Sequence, residues 1–250
     1  MNFREKLRSG EVAYGLTLTT GNPQIAELIA GLGFDWIWIE TEHTTMSLES
    51  ILAQLQAISG SGTKAIVRVD CNDQTTIKRV LDTGPDGILI PSVNTLEDAE
   101  KAIRFSKYPP LGERGIGLAR AQGYGQKLGS YIKSANDEVA IIFMIEHVDA
   151  VRNIHEILRV PGLDAVIIGS LDLAGSMNLQ NDLGNELIEV EVQKVLQACK
   201  EAGIPCGAFT GDPAQAKARI EQGFRFLTLG ADVIMLGSSA KNALDLVKSS

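Results

Sequence analysis

Short apolar and β-branched runs recur along this chain at 13–18, 35–39, 64–69, 87–90, 140–145, 164–168, 205–209 and 226–229. Little polar alternation interrupts them. That suits strands covered on both faces, as in a parallel sheet, although over so few residues a buried helical segment would read the same way. The intervening segments decide the matter, because they are amphipathic and carry helix start and stop signals. Asn22 and Pro23 open 24–32, and Gly33 closes it. Ser47, with Ser50 three residues on, opens 48–58; Asp73 opens 75–81, and Gly84 follows. Thr95 and Asp98 cap 99–105, and Asp149 lies early in 148–158. Further helical segments fall at 189–202, 213–222 and 231–247. Strands alternating with helices in this way predict an α/β fold, a (β/α)8 TIM barrel occupying 1–250 as a single domain. One stretch departs from the rhythm. Residues 106–137 crowd turn formers together, from Tyr108, Pro109 and Pro110 to Gly123 and Gly125, and so long a connection inside a compact domain is usually functional.

Composition narrows the function classes. Charged residues make up 22% and apolar ones 44% of 250 residues, the balance of a soluble globular protein. The net charge of −8 leaves no basic surface for a phosphate backbone, so nucleic acid is excluded as a partner. An acidic protein that binds an anion does so locally, through a metal, an arginine or backbone amides. Cys71, Cys199 and Cys206 are odd in number and lack paired ligand spacing, which fits free thiols in a reducing compartment. No apolar stretch approaches the roughly 18 residues needed to span a bilayer. The expectation is a cytoplasmic enzyme without a membrane partner.

In a barrel, residues at the C-terminal ends of strands face the active site, whereas those at the other end stabilise the floor. By this rule Glu40, Glu42 and His43 follow the second strand, Arg68 closes the third, Glu146 and His147 follow the fifth, and Asp172 follows the sixth. Lys64 begins its strand. No lysine stands at a C-terminal strand end, so a Schiff-base aldol mechanism loses support. Glu146 and Asp172 are one βα unit apart, and two carboxylates without cysteine or clustered histidine suit a hard octahedral cation, Mg²⁺ or Mn²⁺, over zinc. Capping of the helices that follow would explain the same two residues. Arg68 inside a barrel needs partners: either a carboxylate or developing enolate oxygen of an anionic small molecule, or a structural ion pair with Glu40 or Glu42. His43 suits a general base or an exposed loop position equally. His155 falls within a helical segment, where a surface or internally satisfied position suits it better than a ligand role, and His147 fits a cap. Gly169 to Gly175 reads as a glycine-flanked turn whose amides suit an oxyanion. Asp232, just after the last strand, would repel phosphate, so no phosphate site is expected there.

From about residue 3 to 245 the chain resembles the HpcH/HpaI family of metal-dependent class II pyruvate aldolases. The matching stretches are Gly33 to Trp36, Glu42 with His43, Val67 with Arg68, Tyr108 to Gly115, Ile145 with Glu146, and Gly169 with Asp172 and Leu173. The resemblance implies a phosphoenolpyruvate/pyruvate-type barrel with its C-terminal helix exchanged between subunits, in a hexamer built as a trimer of dimers. It implies that Glu146 and Asp172 ligate the metal and that a pyruvate-like 2-oxo acid chelates it. Arg68 would then stabilise the enolate oxygen, and the amides around Ser170, Leu171 and Asp172 would receive the carboxylate. His43 would act as acid and base, through a metal-bound water, oriented by Asp82 of a neighbouring subunit; Asp82 ends a helix and so belongs to the floor of its own barrel.

Three departures from the family pattern bear on substrate choice. Glu40 and Thr41 stand where Asp-Gly is usual, Met144 replaces a polar residue, and Ser170 with Leu171 replaces proline and a small residue. Glu40 and Met144 thereby alter the chemistry around the implied metal and acceptor pocket, where the matching Glu42 is a further neighbour of the site. The leading expectation is an aldolase cleaving a 4-hydroxy-2-oxo acid to pyruvate and an aldehyde. Its alternatives are an enolate-forming relative with another acceptor, such as a decarboxylase or a citrate-synthase-like enzyme, and a catalytically silent barrel subunit.

Overall fold

The computed structural model describes residues 2–249. Its strands are β1 (Ala13–Leu18), β2 (Trp36–Glu40), β3 (Lys64–Arg68), β4 (Gly87–Ile90), β5 (Ala140–Ile145), β6 (Ala165–Ile168), β7 (Cys206–Thr210) and β8 (Phe226–Ala231). They pair in parallel and in chain order, and β8 closes on β1, so the predicted (β/α)8 barrel is observed. The absence of polar alternation now has its cause. Alternate residues of each strand point outward, where Leu16, Ile37, Val67, Ile141 and their neighbours meet the helices, and inward, where Trp36, Trp38, Ile66, Met144 and Phe226 fill the barrel. The inner aromatics fit because small residues face them. A Cβ on Gly207 would lie 2.5 Å from the Phe226 ring, and Gly15 leaves no room for a Cβ beside Trp36.

The helices are α1 (Phe3–Arg8), α2 (Pro23–Ala30), α3 (Leu48–Ile58), α4 (Gln74–Asp82), α5 (Leu96–Ser106), α6 (Leu128–Glu138), α7 (Val148–Arg152), α8 (Ile154–Ile157), α9 (Ser170–Ser176), α10 (Glu186–Ala202), α11 (Pro213–Gln222) and α12 (Asp232–Lys248). Asn22, Ser47, Asp73 and Thr95 cap as expected, each side chain accepting an amide of the first turn. Four details differ from the sequence reading. The first helical segment ends at Ala30, and Gly33, at φ 88°, serves the turn into β2 instead of the helix end. The single helix expected over 148–158 breaks at Asn153, at ψ 7°, where the side chain donates to the Asn94 carbonyl at 2.9 Å. The stretch 106–137 contains a short 3₁₀ turn and α6, which buries only Ala135 and has no side-chain cap, so it gave no periodic signal. Finally, Gly169 to Gly175 is mostly helix: Ser170 opens α9.

Helix α1 was also unforeseen. An Asn2–Glu5 capping box starts it, Phe3 and Leu7 plug the barrel floor, and Arg4 donates to the buried Asp164 at 2.7 Å. At the other end of the chain, α12 leaves the barrel: beyond Asp232 its residues are exposed, including Ile234, Leu236, Leu244 and Val247. No helix among the described residues is long and apolar enough to cross a membrane.

Candidate active site

Parallel pairing places the ends of β2 and β3 side by side, with Glu40 in register with Arg68. The side chains of both are buried at the C-terminal rim. Arg68 Nη1 lies 3.3 Å from Glu40 Oε2, and Arg68 Nη2 lies 3.0 Å from Glu146 Oε2 and against the Glu42 carboxylate. Of the two expectations for this arginine, an ion pair with Glu40 or Glu42 is therefore present, and it extends to Glu146. One donor is unused: Arg68 Nε–H is buried without a hydrogen-bond partner. Burial raises the pKa of Glu146 above the ordinary carboxylate range, with Arg68 opposing and Asp172 reinforcing it. Glu42 is raised in the same way by burial, against Arg68, with help from Glu146 and Glu40.

Glu146 is held from both sides. Its Oε1 accepts the Ser92 amide at 2.8 Å, and Ser92, just past β4, adopts a left-handed φ of 57° to deliver that N–H. No residue pattern around Ser92 announced this, because the signal is a backbone conformation. Opposite, Gly169 leaves Glu146 its room: a Cβ there would lie 2.9 Å from Glu146 Cβ and 3.3 Å from Met144 Sδ. Asp172 sits in the first turn of α9, exposed, and joins Glu146, Glu42, His43 and Ser92 around a hollow of about 380 Å³. No side chain caps α9. Among the described residues, no three His, Cys, Asp or Glu side chains are gathered in metal-ligating geometry.

The loop after β2 is tied down by its own departures from the family pattern. Glu40 Oε1 accepts the amides of Glu42 and His43, at 2.7 and 3.1 Å, and the Thr41 hydroxyl donates to the Arg68 carbonyl. His43 itself is open, 63% exposed, with Nε2 3.8 Å from Glu42 Oε2. His147 caps α7 by accepting the Asp149 amide, and His155 lies exposed on α8, as expected for both. His43 follows the C-terminal end of β2, whereas Asp82 ends α4, and helix C-termini lead back to the floor. There its Oδ1 accepts from the buried Arg114 at 3.2 Å and from Gln122 at 3.5 Å. Asp232 is occupied internally: it accepts from the amides and hydroxyls of Thr19 and Thr20, which tie α12 to the end of β1.

A second cavity, of about 450 Å³, adjoins the hollow and shares His43 and Asp172 with it. Thr17, Trp38, Met144 and Phe209 line it from the barrel, and the exposed Val233 and Ile234 line it from the root of α12. Apart from Met144, these residues were not singled out as site residues from the sequence. They look like core in the linear pattern, and only barrel closure brings β1, β2, β5, β7 and the root of α12 around one space.

Comparison with known proteins places the chain in a family. The family model described as HpcH/HpaI aldolase/citrate lyase matches residues 13–238. The chain is similar to 4-hydroxy-2-oxo-heptane-1,7-dioate aldolase of Shigella sonnei, 34% identical over 242 residues, covering 96% of this chain and 92% of that one. It is likewise 34% identical over 253 residues to 2-keto-3-deoxy-L-rhamnonate aldolase of Salmonella paratyphi A, covering 99% and 93%. Both relatives are lyases. The solved structure of an HpcH/HpaI aldolase/citrate lyase family protein from Burkholderia cenocepacia superposes with a TM-score of 0.95 at 33% identity, covering 98% of each chain. With the family model matching residues 13–238 and 34% identity over nearly the whole length of named relatives, the chain belongs to the HpcH/HpaI aldolase/citrate lyase family.

Proposed function

We propose that the protein is a divalent-metal-dependent aldolase, using Mg²⁺ or Mn²⁺, that cleaves a 4-hydroxy-2-oxo acid to pyruvate and an aldehyde. The observation that carries this reading is the pair Glu146 and Asp172 around one hollow, with more carboxylate than Arg68 can neutralise. An all-oxygen pair with excess negative charge fits a hard cation and leaves coordination positions for substrate and water. Bound there, the cation would polarise the 2-oxo group of the substrate.

The chain's own residues do the rest. Arg68, with its free Nε–H, donates to the 2-oxo oxygen as negative charge develops on it. The uncapped start of α9, at Ser170, Leu171 and Asp172, receives the substrate carboxylate. His43, open at the mouth of both cavities, accepts the 4-hydroxyl proton while the C3–C4 bond breaks, and a proton delivered to C3 completes pyruvate. Glu40, through its bonds to the amides of Glu42 and His43, sets the histidine's loop. Asp82 of a second copy orients His43, since Asp82 of the same chain is held at the floor by Arg114. The exposed apolar residues of α12 suit exchange of that helix between copies, in a hexamer of three dimers. The three cysteines are free, in keeping with a cytoplasmic location, and the barrel acts as one domain over 1–250.

The test is exchange of pyruvate methyl protons in deuterated water, with Mg²⁺ or Mn²⁺ and then with chelator. Metal-dependent exchange, abolished by Glu146→Gln, is expected. A wild-type protein that exchanges equally well in chelator, or not at all at high protein concentration, overturns the reading. Turnover of oxaloacetate alone, across a panel of aldehydes, would favour a decarboxylase.

A further inference from the structure

A third cavity, of about 480 Å³, lies at the floor, between the loops that lead into β1, β7 and β8. Arg8, Lys200 and Arg225 line it, and none of its lining residues is acidic. In a chain of net charge −8, that segregation of positive charge needs a reason.

Each of the three cations is held by a neutral or a shared partner. Lys200 Nζ donates to the Gln222 carbonyl at 2.8 Å and lies across Gly223, where a Cβ would stand 2.7 Å from Lys200 Cε. Arg225 donates through Nη1 alone, to the carbonyls of Phe224 at 2.9 Å and Ile220 at 3.4 Å. Arg8 does reach a carboxylate, Asp164 at 3.2 Å, but that group is buried and already accepts from Arg4 at 2.7 Å. Glu11 and Glu201, adjacent in sequence to lining residues, are turned to Lys6 and Gln197. Helix capping accounts for part of this arrangement, because α1, α10 and α11 all end at the floor. Each helix end carries only about −0.5 of an elementary charge, so three ends and one aspartate offset the four cations incompletely. Donors remain as well, since Arg8 bonds through Nη2 alone and Lys200 through one of its three hydrogens. Arg8 and Lys200 are both exposed, which puts them within reach of a ligand arriving from solvent.

From these observations we propose that the floor cavity binds a phosphate group, either as free phosphate or as the monoester of a small molecule. Such a group carries a charge of about −1.5 to −2 near neutrality and offers three or more acceptor oxygens, which suits donors supplied by three separate loops. Guanidinium forks match its oxygens, and a lysine serves it as a point charge. A single carboxylate has half the charge and two oxygens. Leu196, Ile204 and Pro205 complete the wall, and the cavity is larger than a phosphate group alone fills, so an organic remainder has room. The inference is independent of the aldolase reading, because no rim residue contributes to this cavity.

The test is isothermal titration of the full chain, in Mg²⁺ and pyruvate, with inorganic phosphate, phenyl phosphate and, at matched ionic strength, sodium chloride. One phosphate or phenyl phosphate per chain is expected, with a dissociation constant of about 1 mM or below, and no heat of binding for chloride. Lys200→Gln and Arg225→Gln should each weaken the binding about tenfold, as loss of one charge-assisted hydrogen bond does. The first variant changes an exposed side chain and should keep the fold and the pyruvate proton exchange of the wild type. Lys217→Gln removes the same charge from an exposed position of α11 outside the cavity and should leave phosphate binding as it is. Tighter binding of phenyl phosphate supports the site with an ester as its ligand, and equal binding supports it with free phosphate. Phosphate that binds no better than chloride, or binding that responds alike to Lys200→Gln and Lys217→Gln, overturns the inference.

Discussion

Adding one methyl group at Gly169 tests the geometry of the rim without removing any functional group. The Gly169 backbone, at φ −91°, is open to alanine, so the substitution brings no conformational penalty. Its Cβ, however, would stand 2.9 Å from Glu146 Cβ and 3.2 Å from Glu146 Oε2. Carbon atoms rest comfortably at about 3.5 Å or more, so Glu146 must retreat by roughly 0.6 Å. Ser92 and Arg68 hold both its oxygens, at 2.8 and 3.0 Å, and cannot follow without giving up the bonds. Overpacking of this kind costs about 1–3 kcal/mol in stability. The functional loss should be larger, because a displacement approaching 1 Å in a reacting constellation costs on the order of a hundredfold. We expect pyruvate proton exchange in Gly169→Ala to fall by about ten- to a hundredfold, with a higher Mn²⁺ concentration needed for half-maximal rate. Gly129→Ala is the control, since nothing lies within 4 Å of the position its Cβ would take on α6. Exchange and Mn²⁺ dependence in Gly169→Ala indistinguishable from wild type would refute the idea that the place of the Glu146 carboxylate matters to the chemistry.

Other outcomes follow from single residues. Arg68→Ala should slow exchange by about two to three orders of magnitude, as loss of an oxyanion donor does; a change under threefold would show that the guanidinium serves only the ion pairs. Asp232→Asn weakens the charged bonds to Thr19 and Thr20 and should cost about 1–3 kcal/mol near neutrality, read from thermal melts. Burial opposes ionisation of Asp232, but those bonds prevail and its pKa is lowered, so the difference from wild type should persist above the ordinary aspartate range and vanish as pH falls through the depressed value. A difference that grows on acidification contradicts this. Lys107 is buried on the floor, and burial, with Arg4 adding repulsion, lowers its pKa to about 8. The folded state thus releases this proton before the unfolded state does, and wild-type stability gains between about pH 8 and the ordinary lysine range. Lys107→Met should therefore melt higher than wild type at pH 7, with the gap narrowing as pH rises through that window; a constant gap would assign the effect to packing.

The sequence alone determined the strand positions and the barrel, because each strand is covered on both faces and so shows as an unbroken apolar run, and because side-chain caps at Asn22, Ser47, Asp73 and Thr95 are local chemistry. It also put Glu40, His43, Arg68, Glu146 and Asp172 at one rim, since a strand's C-terminal end is fixed once its run is found. The helices α1, α6 and α9 were not legible: they are short or nearly unburied, and periodicity needs a buried face to register. Tertiary structure alone decided that one guanidinium meets three carboxylates, that Ser92 turns its amide onto Glu146, and that Trp38 and Thr17 leave buried polar atoms without a partner. These are contacts between strands distant in sequence, and a hydrophobic run records that a side chain is inside without recording what it finds there.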